Sequence, residues 1–351
     1  MKRRLPVRKA ILGRETYEAP VEGRWGKIRL DFNENTTGCS KVVLAALRRI
    51  SGEKVAMYPE YQPTEKILGQ YFGVKPEEIV LTNGGDDALR VFFDTFVEPG
   101  SHILICEPTF PMYRYYAEIA GARVEALRYS REMEFPLAAV LKALRKKPRV
   151  FFLANPNNPT GTLVDKSSIE RILKAAVRTA VVLDEAYADF SGVTCVPWIR
   201  RHPNLFIAKT FSKAAGLAGL RLGAVIARRD SLAFVRRALP PFPVNAAALA
   251  AGVAAVRERR TIHRYIRDTK RLREWFGGEL KRRMVRVFPS AGNFLLADFG
   301  DDGPALFRRL TRHGILIRER SKDLGAGFAR IAIGTQKELR AFLRILDSEG
   351  R

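Results

Sequence analysis

The sequence predicts an α/β fold, in which a mostly parallel sheet lies between helices in a large domain and a smaller α+β domain follows. The first observation behind this prediction is a series of short apolar runs between residues 75 and 228. They are continuous rather than alternating, as expected for strands that helices cover on both faces. The second observation is that helix-like stretches with one apolar face, such as 167–177, separate several of the runs. The runs are 79–81, 102–106, 150–153, 180–183, 205–207 and 222–226.

Beyond Pro243 the pattern changes to long helices and then to a second group of strands. Residues 244–256 are rich in alanine, and helical periodicity follows over 261–284. The shorter strand patterns that come next are 286–288, 293–296, 314–318 and 330–333. The expected domains are an N-terminal arm with part of the small domain at 1–45, a large domain at 46–262 and a C-terminal small domain at 263–351.

Composition and charge favour an ordinary globular protein. Of the 351 residues, 46% are hydrophobic and 28% are charged, which is usual for folded domains. The formal net charge of +24 is the kind of signal that a nucleic-acid partner would leave. However, acidic residues are interleaved with the basic ones, and no basic-aromatic module is present. We therefore interpret the charge as a solvated basic face and expect no nucleic-acid partner.

The sequence contains no clear membrane or metal signal. No apolar run approaches the length of a membrane span, so we expect no membrane association and a cytoplasmic location. Cys39, Cys106 and Cys195 are odd in number and widely separated, and the four histidines have no ligand spacing. We therefore expect neither disulfide bonds nor a metal site.

Four polar clusters each follow directly after one of the predicted strands. In open α/β sheets, ligands bind just beyond the carboxyl ends of the strands. We therefore expect the clusters to converge on one crevice. The clusters are 82–86, 155–161, 184–187 and 210–213.

Asp184 ends an apolar run, where an isolated carboxylate is costly to bury. A cationic partner removes that cost, and the protonated pyridine nitrogen of pyridoxal phosphate is a partner that needs a carboxylate. The alternative is that Asp184 caps a helix.

Lys213 stands before a stretch of mostly small residues at 214–219, which leaves room for a bulky ring to approach the backbone. Lysine can form a Schiff base with an aldehyde, although a lone lysine in a loop is usually a surface charge. The hydroxyls of Thr210 and Ser212 and the guanidinium of Arg221 would suit a nearby phosphate dianion.

A second phosphate signal lies at Gly84, Gly85 and Asp86, ahead of a helical stretch at 87–93. Backbone N–H groups at a helix N-terminus bind phosphate well. The position of these residues after a strand strengthens a signal that double glycine alone would leave weak.

Eight motifs in a fixed order make the chain resemble the fold-type-I pyridoxal-phosphate aminotransferases, most closely the histidinol-phosphate aminotransferases. The resemblance spans residues 30–334. It implies a seven-stranded sheet in the large domain and ping-pong transamination between an amino acid and a 2-oxo acid, with pyridoxal 5'-phosphate as cofactor. The motifs are 30–35, 58–60, 83–86, 108–113, 155–161, 184–187, 212–221 and 330–335.

The resemblance also implies roles at the cofactor. Lys213 would form the Schiff base and shuttle the proton, while Asp184 would hold the pyridine nitrogen. Asn158 and Tyr187 would hydrogen-bond the ring 3-oxygen, and Phe110 would stack on the ring face. The residues implied at the cofactor phosphate are Gly85 and Asp86, through their backbone, and Thr210, Ser212 and Arg221.

The same resemblance implies a homodimer and an anion-binding substrate site. Tyr58 would reach the cofactor phosphate from a second subunit, so the active sites would be shared. Arg330 occupies the anion-binding position, with Arg318 nearby and Asn35 and Tyr17 at the mouth. Two guanidinium groups could hold a phosphate monoester, and one could equally hold an α-carboxylate. Arg318 could also be a strand-end surface residue.

The most specific activity implied belongs to histidine biosynthesis, with L-histidinol phosphate and 2-oxoglutarate giving imidazole-acetol phosphate and glutamate. Segment 35–40 departs from the family's usual Asn-Pro and Gly-Pro-Ser pattern, and Phe110 stands where tyrosine is frequent. The first change borders the substrate and the second removes a hydroxyl. Two alternatives therefore stay open, an aromatic amino-acid aminotransferase and an enzyme like threonine-phosphate decarboxylase. A DNA-binding regulator on the same fold would need a helix-turn-helix module, which the residues before Leu30 are too few to supply.

Overall fold

The computed structural model describes residues 5–14, 16 and 20–348. Its strands are β1 (Ile28–Leu30), β2 (Ile79–Thr82), β3 (His102–Glu107), β4 (Arg123–Arg128), β5 (Val150–Ala154), β6 (Ala180–Asp184), β7 (Leu205–Thr210), β8 (Gly223–Ala227), β9 (Arg286–Val287), β10 (Phe294–Asp298), β11 (Ile315–Glu319) and β12 (Phe328–Ala332). A seven-stranded sheet has the order β2-β8-β7-β6-β5-β3-β4, and β8 is antiparallel to both its neighbours while the remaining pairs are parallel. This sheet confirms the predicted fold class, and all six predicted apolar runs coincide with its strands.

Helices cover both faces of the large sheet. In the described chain they are α1 (Lys9–Leu12), α2 (Lys41–Arg48), α3 (Gly52–Ala56), α4 (Gln62–Phe72), α5 (Gly84–Phe96), α6 (Met112–Ile119), α7 (Leu137–Leu144), α8 (Lys166–Ala175), α9 (Ala188–Ser191), α10 (Arg229–Ala238), α11 (Ala246–Arg257), α12 (Arg259–Arg282), α13 (Gly303–Arg312) and α14 (Gln336–Asp347). On one face α5, α6 and α10 form an apolar core, and on the other α2, α4, α7, α8 and α11 form a second core. Phe151 and Phe152 of β5 enter opposite cores, which is why this strand is apolar without alternation.

The edge strand β4 was missed by the sequence analysis. Its sequence alternates charged and apolar residues, with Arg123 and Arg128 exposed at its ends. An edge strand has a neighbour on one side only, and charged residues there discourage pairing with other chains. A continuous apolar run is therefore a signal for central strands and not for this one.

A second sheet combines β1, from the N-terminal part of the chain, with β9 to β12 from the C-terminal part, in the order β1-β11-β12-β10-β9. β1 pairs in parallel with β11, and Leu30 is fully buried in the core that α13 and α14 cover. The assignment of part of the N-terminal segment to the small domain stays a prediction.

The long helix α12 contacts both cores. Ile262 and Tyr265 belong to the core of the large sheet, whereas Leu272 and Phe276 belong to that of the small sheet. The expected domain boundaries at 45/46 and 262/263 stay predictions. Within the described residues no helix combines the length and the apolar character needed to cross a membrane.

Candidate active site

A cavity of about 520 Å³ lies at the carboxyl ends of β5, β6 and β7. Each of the four polar clusters contributes to its wall, through Asp86, Asn158, Asp184 and Ser212. These residues are far apart in sequence and meet because parallel strands of one sheet end at the same edge. The candidate residues on this wall are Gly85, Asp86, Phe110, Asn158, Asp184, Tyr187, Thr210, Ser212, Lys213 and Arg221.

The amine of Lys213 reaches the cavity from the loop that follows β7. Its Nζ donates a hydrogen bond to the backbone carbonyl of Phe32 at 2.8 Å and lies 5.8 Å from the centroid of the Tyr187 ring. The loop turns tightly after the lysine: Gly216 has φ +70°, and a Cβ there would lie 3.0 Å from the carbonyl oxygen of Gly38. One hydrogen bond therefore holds the amine at the cavity, and its remaining positions are open to a ligand.

Asp184 ends β6 with its carboxylate on the cavity wall. Its Oδ2 accepts a hydrogen bond from the hydroxyl of Tyr113 at 2.7 Å, and its Oδ1 accepts one from the backbone N–H of Ala186 at 2.9 Å. Burial raises the pKa of Asp184 above its ordinary value, because the charged form loses contact with water. The residue at the N-cap of α9 is Tyr187, so the alternative that Asp184 caps a helix is wrong.

The hydroxyl of Tyr187 accepts a hydrogen bond from Nδ2 of Asn33 at 3.0 Å. Asn33 is fully buried and has φ 54°, a left-handed conformation that asparagine tolerates better than most residues. Because the amide donates, the hydroxyl proton of Tyr187 is free to point into the cavity. Asn33 belongs to motif 30–35, but no local sequence pattern indicates its contact with Tyr187.

Asn158 lines the cavity and forms a buried pair with Arg330, which lies behind it and is not among the lining residues. Nη1 of Arg330 donates to Oδ1 of Asn158 at 2.6 Å, and Nη2 donates to the backbone carbonyl of Asp31. Arg330 is only 6% exposed, and burial lowers its pKa to about 10. Its Nε has no hydrogen-bond partner among the described residues. A buried guanidinium with an unused N–H favours an anionic ligand.

The first turn of α5 forms the part of the wall next to Arg221. The helix begins at Gly84, three residues before the helical stretch expected from the sequence at 87–93. Gly85 and Asp86 therefore lie within its first turn. The guanidinium of Arg221 donates to Oδ2 of Asp86 at 3.0 Å. A Cβ on Gly84, whose φ is +85°, would lie 2.5 Å from Nη2 of Arg221. Gly84 therefore leaves the space that the guanidinium fills.

Two hydroxyls extend this group of donors. Oγ1 of Thr210 donates to Oγ of Ser212 at 2.9 Å, and a Cβ on Gly85 would lie 3.6 Å from the Thr210 Cβ. Hydroxyls, a guanidinium and the N–H groups of a helix N-terminus are donors that hold a phosphate dianion. Together with the amine of Lys213 and the carboxylate of Asp184, this set fits a phosphorylated pyridine aldehyde.

The candidate residues Tyr58 and Asn35 do not line the cavity. Tyr17, another candidate, lies outside the described residues. Tyr58 is 75% exposed, and its ring stacks on Phe242 with the centroids 4.1 Å apart. Asn35 is buried, and its side-chain oxygen accepts hydrogen bonds from the backbone N–H and the hydroxyl of Thr37. Asn35 thus stabilises a turn and is not among the residues that line the cavity, and its expected place at the mouth stays a prediction.

Arg318 lies beside the cavity, opposite Arg330 in the pairing of β11 with β12. Its guanidinium carbon is 6.0 Å from the ring centroid of Phe32, which is part of the cavity wall. Within the part of the chain that the structure describes, Arg318 forms no ion pair. Two guanidinium groups thus stand on neighbouring strands next to the cavity.

An acidic group on the wall was also missed by the sequence analysis. Glu34 lines the cavity, and its carboxylate pairs with Arg24 at 2.7 Å. Arg24 pairs with Asp31 at 2.7 Å as well. Burial alone would raise the pKa of Glu34, but the hydrogen bonds and charge of Arg24 outweigh it and lower the pKa. Glu34 therefore stays ionised beside the cavity.

Comparisons with known proteins agree with this geometry. Residues 26–346 match the family model described as aminotransferase class I and II. The chain is similar to histidinol-phosphate aminotransferase 2 of Legionella pneumophila (strain Lens), with 33% identity over 327 residues, 91% of this chain and 89% of that protein. It also resembles the crystal structure of histidinol-phosphate aminotransferase from Sinorhizobium meliloti in complex with pyridoxal-5'-phosphate (TM-score 0.84, 26% identity, 92% of this chain and 91% of that chain). A third similar structure is L-threonine-O-3-phosphate decarboxylase from Porphyromonas gingivalis (TM-score 0.81, 26% identity, 92% and 98%).

Proposed function

Because the chain belongs to the aminotransferase class I and II family, we propose that it converts L-histidinol phosphate and 2-oxoglutarate to imidazole-acetol phosphate and glutamate. The reaction class is transamination, and the cofactor is pyridoxal 5'-phosphate. The observation that carries this choice of substrate is the 33% identity to a histidinol-phosphate aminotransferase over 91% of the chain. The proposal places the enzyme in histidine biosynthesis, with a cytoplasmic location.

The surroundings of Lys213 and Asp184 support the roles that we propose for them. When bound, pyridoxal phosphate supplies an aldehyde conjugated to an electron-withdrawing pyridinium ring. We assign the attachment of the aldehyde and the transfer of the substrate Cα proton to Lys213, whose amine reaches the cavity with one hydrogen bond to protein. We assign the ring nitrogen to Asp184, because a carboxylate in a partly dehydrated site stabilises a positive charge beside it.

We assign the remaining cofactor contacts from the hydrogen-bond donors that each residue has available. Tyr187 has a hydroxyl proton to donate, and Asn158 has amide protons, since its oxygen is taken by Arg330. Both suit the ring 3-oxygen. Phe110 offers an apolar ring on the cavity wall against which the pyridine ring can stack. The residues assigned to the cofactor phosphate are the backbone of Gly85 and Asp86 and the side chains of Thr210, Ser212 and Arg221.

Two arginines support a phosphorylated substrate. Histidinol phosphate carries a phosphate monoester where an amino acid carries its α-carboxylate, so a ping-pong site must accept both anions in turn. Arg330 is suited to either anion, because its Nε has no hydrogen-bond partner in the part of the chain that the structure describes and its side chain is buried. Arg318 would supply the second guanidinium that a dianion binds more strongly than a monoanion.

We also propose a homodimer in which Tyr58 contacts the cofactor phosphate of the partner subunit. Large apolar side chains are exposed around Tyr58 in sequence, among them Val55 at 73% and Met57 at 61%, and Phe242 stacks on its ring. An exposed apolar patch of this kind on a folded chain marks an association surface. Sedimentation of the purified protein tests the assembly, and a monomer at micromolar concentration would contradict it.

A substrate panel tests the proposed reaction. Purified protein loaded with cofactor is mixed with histidinol phosphate, phenylalanine or O-phosphothreonine, and the visible absorbance of the cofactor is followed through a single half-reaction. We expect the fastest conversion with histidinol phosphate and recovery of the starting spectrum with 2-oxoglutarate. Preference for phenylalanine would indicate an aromatic aminotransferase, and carbon dioxide release from O-phosphothreonine would indicate the decarboxylase, whose fold the chain shares.

A further inference from the structure

Among the described residues, Tyr113 supplies the one side-chain hydrogen bond to the carboxylate of Asp184. It is fully buried on α6, and its hydroxyl donates to Oδ2 of Asp184 at 2.7 Å. Its ring is stacked on Phe152 of β5, with centroids 5.3 Å apart, and meets the ring of Phe110 edge-on at 5.9 Å. Packing on both sides therefore aims the hydroxyl at the carboxylate.

The proton of this hydrogen bond lies on the tyrosine. Burial raises the pKa of Tyr113 well above its ordinary value, and the neighbouring charge of Asp184 raises it further. The phenol therefore stays protonated and donates, which stabilises the ionised form of the carboxylate. The backbone N–H of Ala186 acts in the same direction at Oδ1.

Other groups around Asp184 act in the opposite direction. Burial of the carboxylate favours its protonated form, and the negative charges of Asp86 on α5 and of Glu185, directly after β6, add to this effect. A protonated Asp184 could no longer form an ion pair with a pyridinium nitrogen. The balance between the two states is thus set by a small number of hydrogen bonds, of which that from Tyr113 is the only one supplied by a side chain among the described residues.

We propose that Tyr113 is a positioning residue for transamination, which holds Asp184 ionised and oriented so that the carboxylate can keep the cofactor ring nitrogen protonated. This inference rests on the proposed role of Asp184. The same turn of chain also carries Phe110, assigned to the ring face, and the backbone N–H of Tyr113 donates to the Phe110 carbonyl at 3.3 Å. One short segment would thus set both the stacking surface and the electronic state of the ring.

Replacing Tyr113 by phenylalanine removes one hydroxyl and keeps the stacked ring. We expect kcat to fall roughly tenfold to a hundredfold, the range for losing a hydrogen bond to a charged group, with little change in KM. The direct measurement is the nitrogen-15 chemical shift of pyridoxal phosphate labelled at the ring nitrogen and bound to the protein. It is expected to move toward the unprotonated value in Tyr113→Phe at neutral pH.

The matched control is Tyr116→Phe. Tyr116 lies on the same helix, packs on Phe93 at 5.8 Å, and has no hydrogen bond to Asp184. This variant should keep the wild-type nitrogen shift and kcat. A double variant with Asp184→Asn adds a second test: if Tyr113 acts through Asp184, adding Tyr113→Phe to Asp184→Asn should lower kcat by less than about twofold further.

Two results would overturn the inference. One is a wild-type nitrogen shift in a folded Tyr113→Phe protein, and the other is a full additional loss of kcat in the double variant. If the phenylalanine variant does not fold, Tyr113→His, which restores an N–H donor, takes its place and should keep the nitrogen protonated; loss of that proton would contradict the inference. Because the nitrogen measurement needs no substrate, its outcome is independent of whether histidinol phosphate proves to be the substrate.

Discussion

The side of the cavity that we propose for the cofactor and the side that we propose for the substrate are built differently. The cofactor side consists of the ends of β6 and β7 and the first turn of α5, all parts of one sheet and its covering layer. The proposed substrate side combines Phe32 and Glu34, which follow β1 and line the cavity, with Arg318 and Arg330 of the second sheet, which lie beside it. A site on one rigid sheet keeps its geometry, whereas a site between two sheets depends on how they pack. This difference explains why the cofactor is easier to identify here than the substrate.

The cofactor side can be broken most completely at Lys213. We expect Lys213→Ala to lower the transamination rate by roughly a thousandfold or more, because both covalent attachment and proton transfer are lost. The visible absorbance of the cofactor should shift at the same time, since the amine no longer bonds to the aldehyde. Lys174→Ala, at an exposed lysine paired with Glu170, is the control and should leave rate and spectrum unchanged.

The substrate side is tested by Arg318. We expect Arg318→Ala to lower kcat/KM for histidinol phosphate roughly tenfold to a hundredfold, because a hydrogen bond to a charged group is lost. The value of kcat/KM for glutamate should change by less than about threefold. Arg286→Ala, an exposed strand arginine paired with Glu132, is the control. Equal losses for both substrates would show that Arg318 does not distinguish phosphate from carboxylate.

Gly84 tests the contact between α5 and Arg221. Gly84→Ala places a methyl group 2.5 Å from Nη2 of Arg221 and puts alanine at φ +85°. A side chain in that backbone region costs about 1–3 kcal/mol, so both the free energy of unfolding and the affinity for the cofactor should fall. At Gly278, a helical glycine with open space, the same substitution should stabilise the protein by about 0.5–1 kcal/mol. Isothermal titration with cofactor and urea unfolding measure the two effects.

The smallest effect is expected in the protein without cofactor, at Asp184. Its pKa is raised in the folded state, so its contribution to stability is present at pH below the ordinary carboxyl value and lost as pH rises through the raised pKa. Asp184→Asn should therefore stabilise the cofactor-free protein at pH 7, by up to about 1 kcal/mol, and give no gain at pH 4. Urea unfolding at the two pH values measures the change in the free energy of unfolding. A loss of stability at neutral pH would show that burying the charged carboxylate does not destabilise the folded protein.

Prediction from sequence succeeded where a local pattern has a physical cause. Six of the strands of the large sheet were marked by continuous apolar runs, because helices cover both faces of those strands. The polar clusters after them converge because parallel strands end at one edge. The same approach missed β4, whose edge position does not require an apolar run, and it placed the start of α5 at residue 87 instead of Gly84.

Contacts between distant segments had no such local signal. Asn33 and Tyr187 are separated by 154 positions, and Tyr113 and Asp184 by 71. Each of these residues belongs to a motif that the sequence analysis quoted, but nothing in the motifs says which side chains touch. The pairing of Glu34 with Arg24 was missed for a different reason, because the two lie close in sequence but no local pattern indicates that their side chains meet.

The sequence by itself determined the fold class, the family and the chemical groups available for the cofactor. These groups are the amine of Lys213, the carboxylate of Asp184 and the hydrogen-bond donors for a phosphate around Arg221. They follow from residue type and from position at the ends of strands. Only the tertiary structure decided how these groups are held. Burial of Arg330 beside Asn158 and the hydrogen bond from Tyr113 to Asp184 depend on how α6 and the second sheet pack against the strand ends. Packing of separate elements sets distances to a fraction of an ångström, and short-range sequence patterns do not encode those distances.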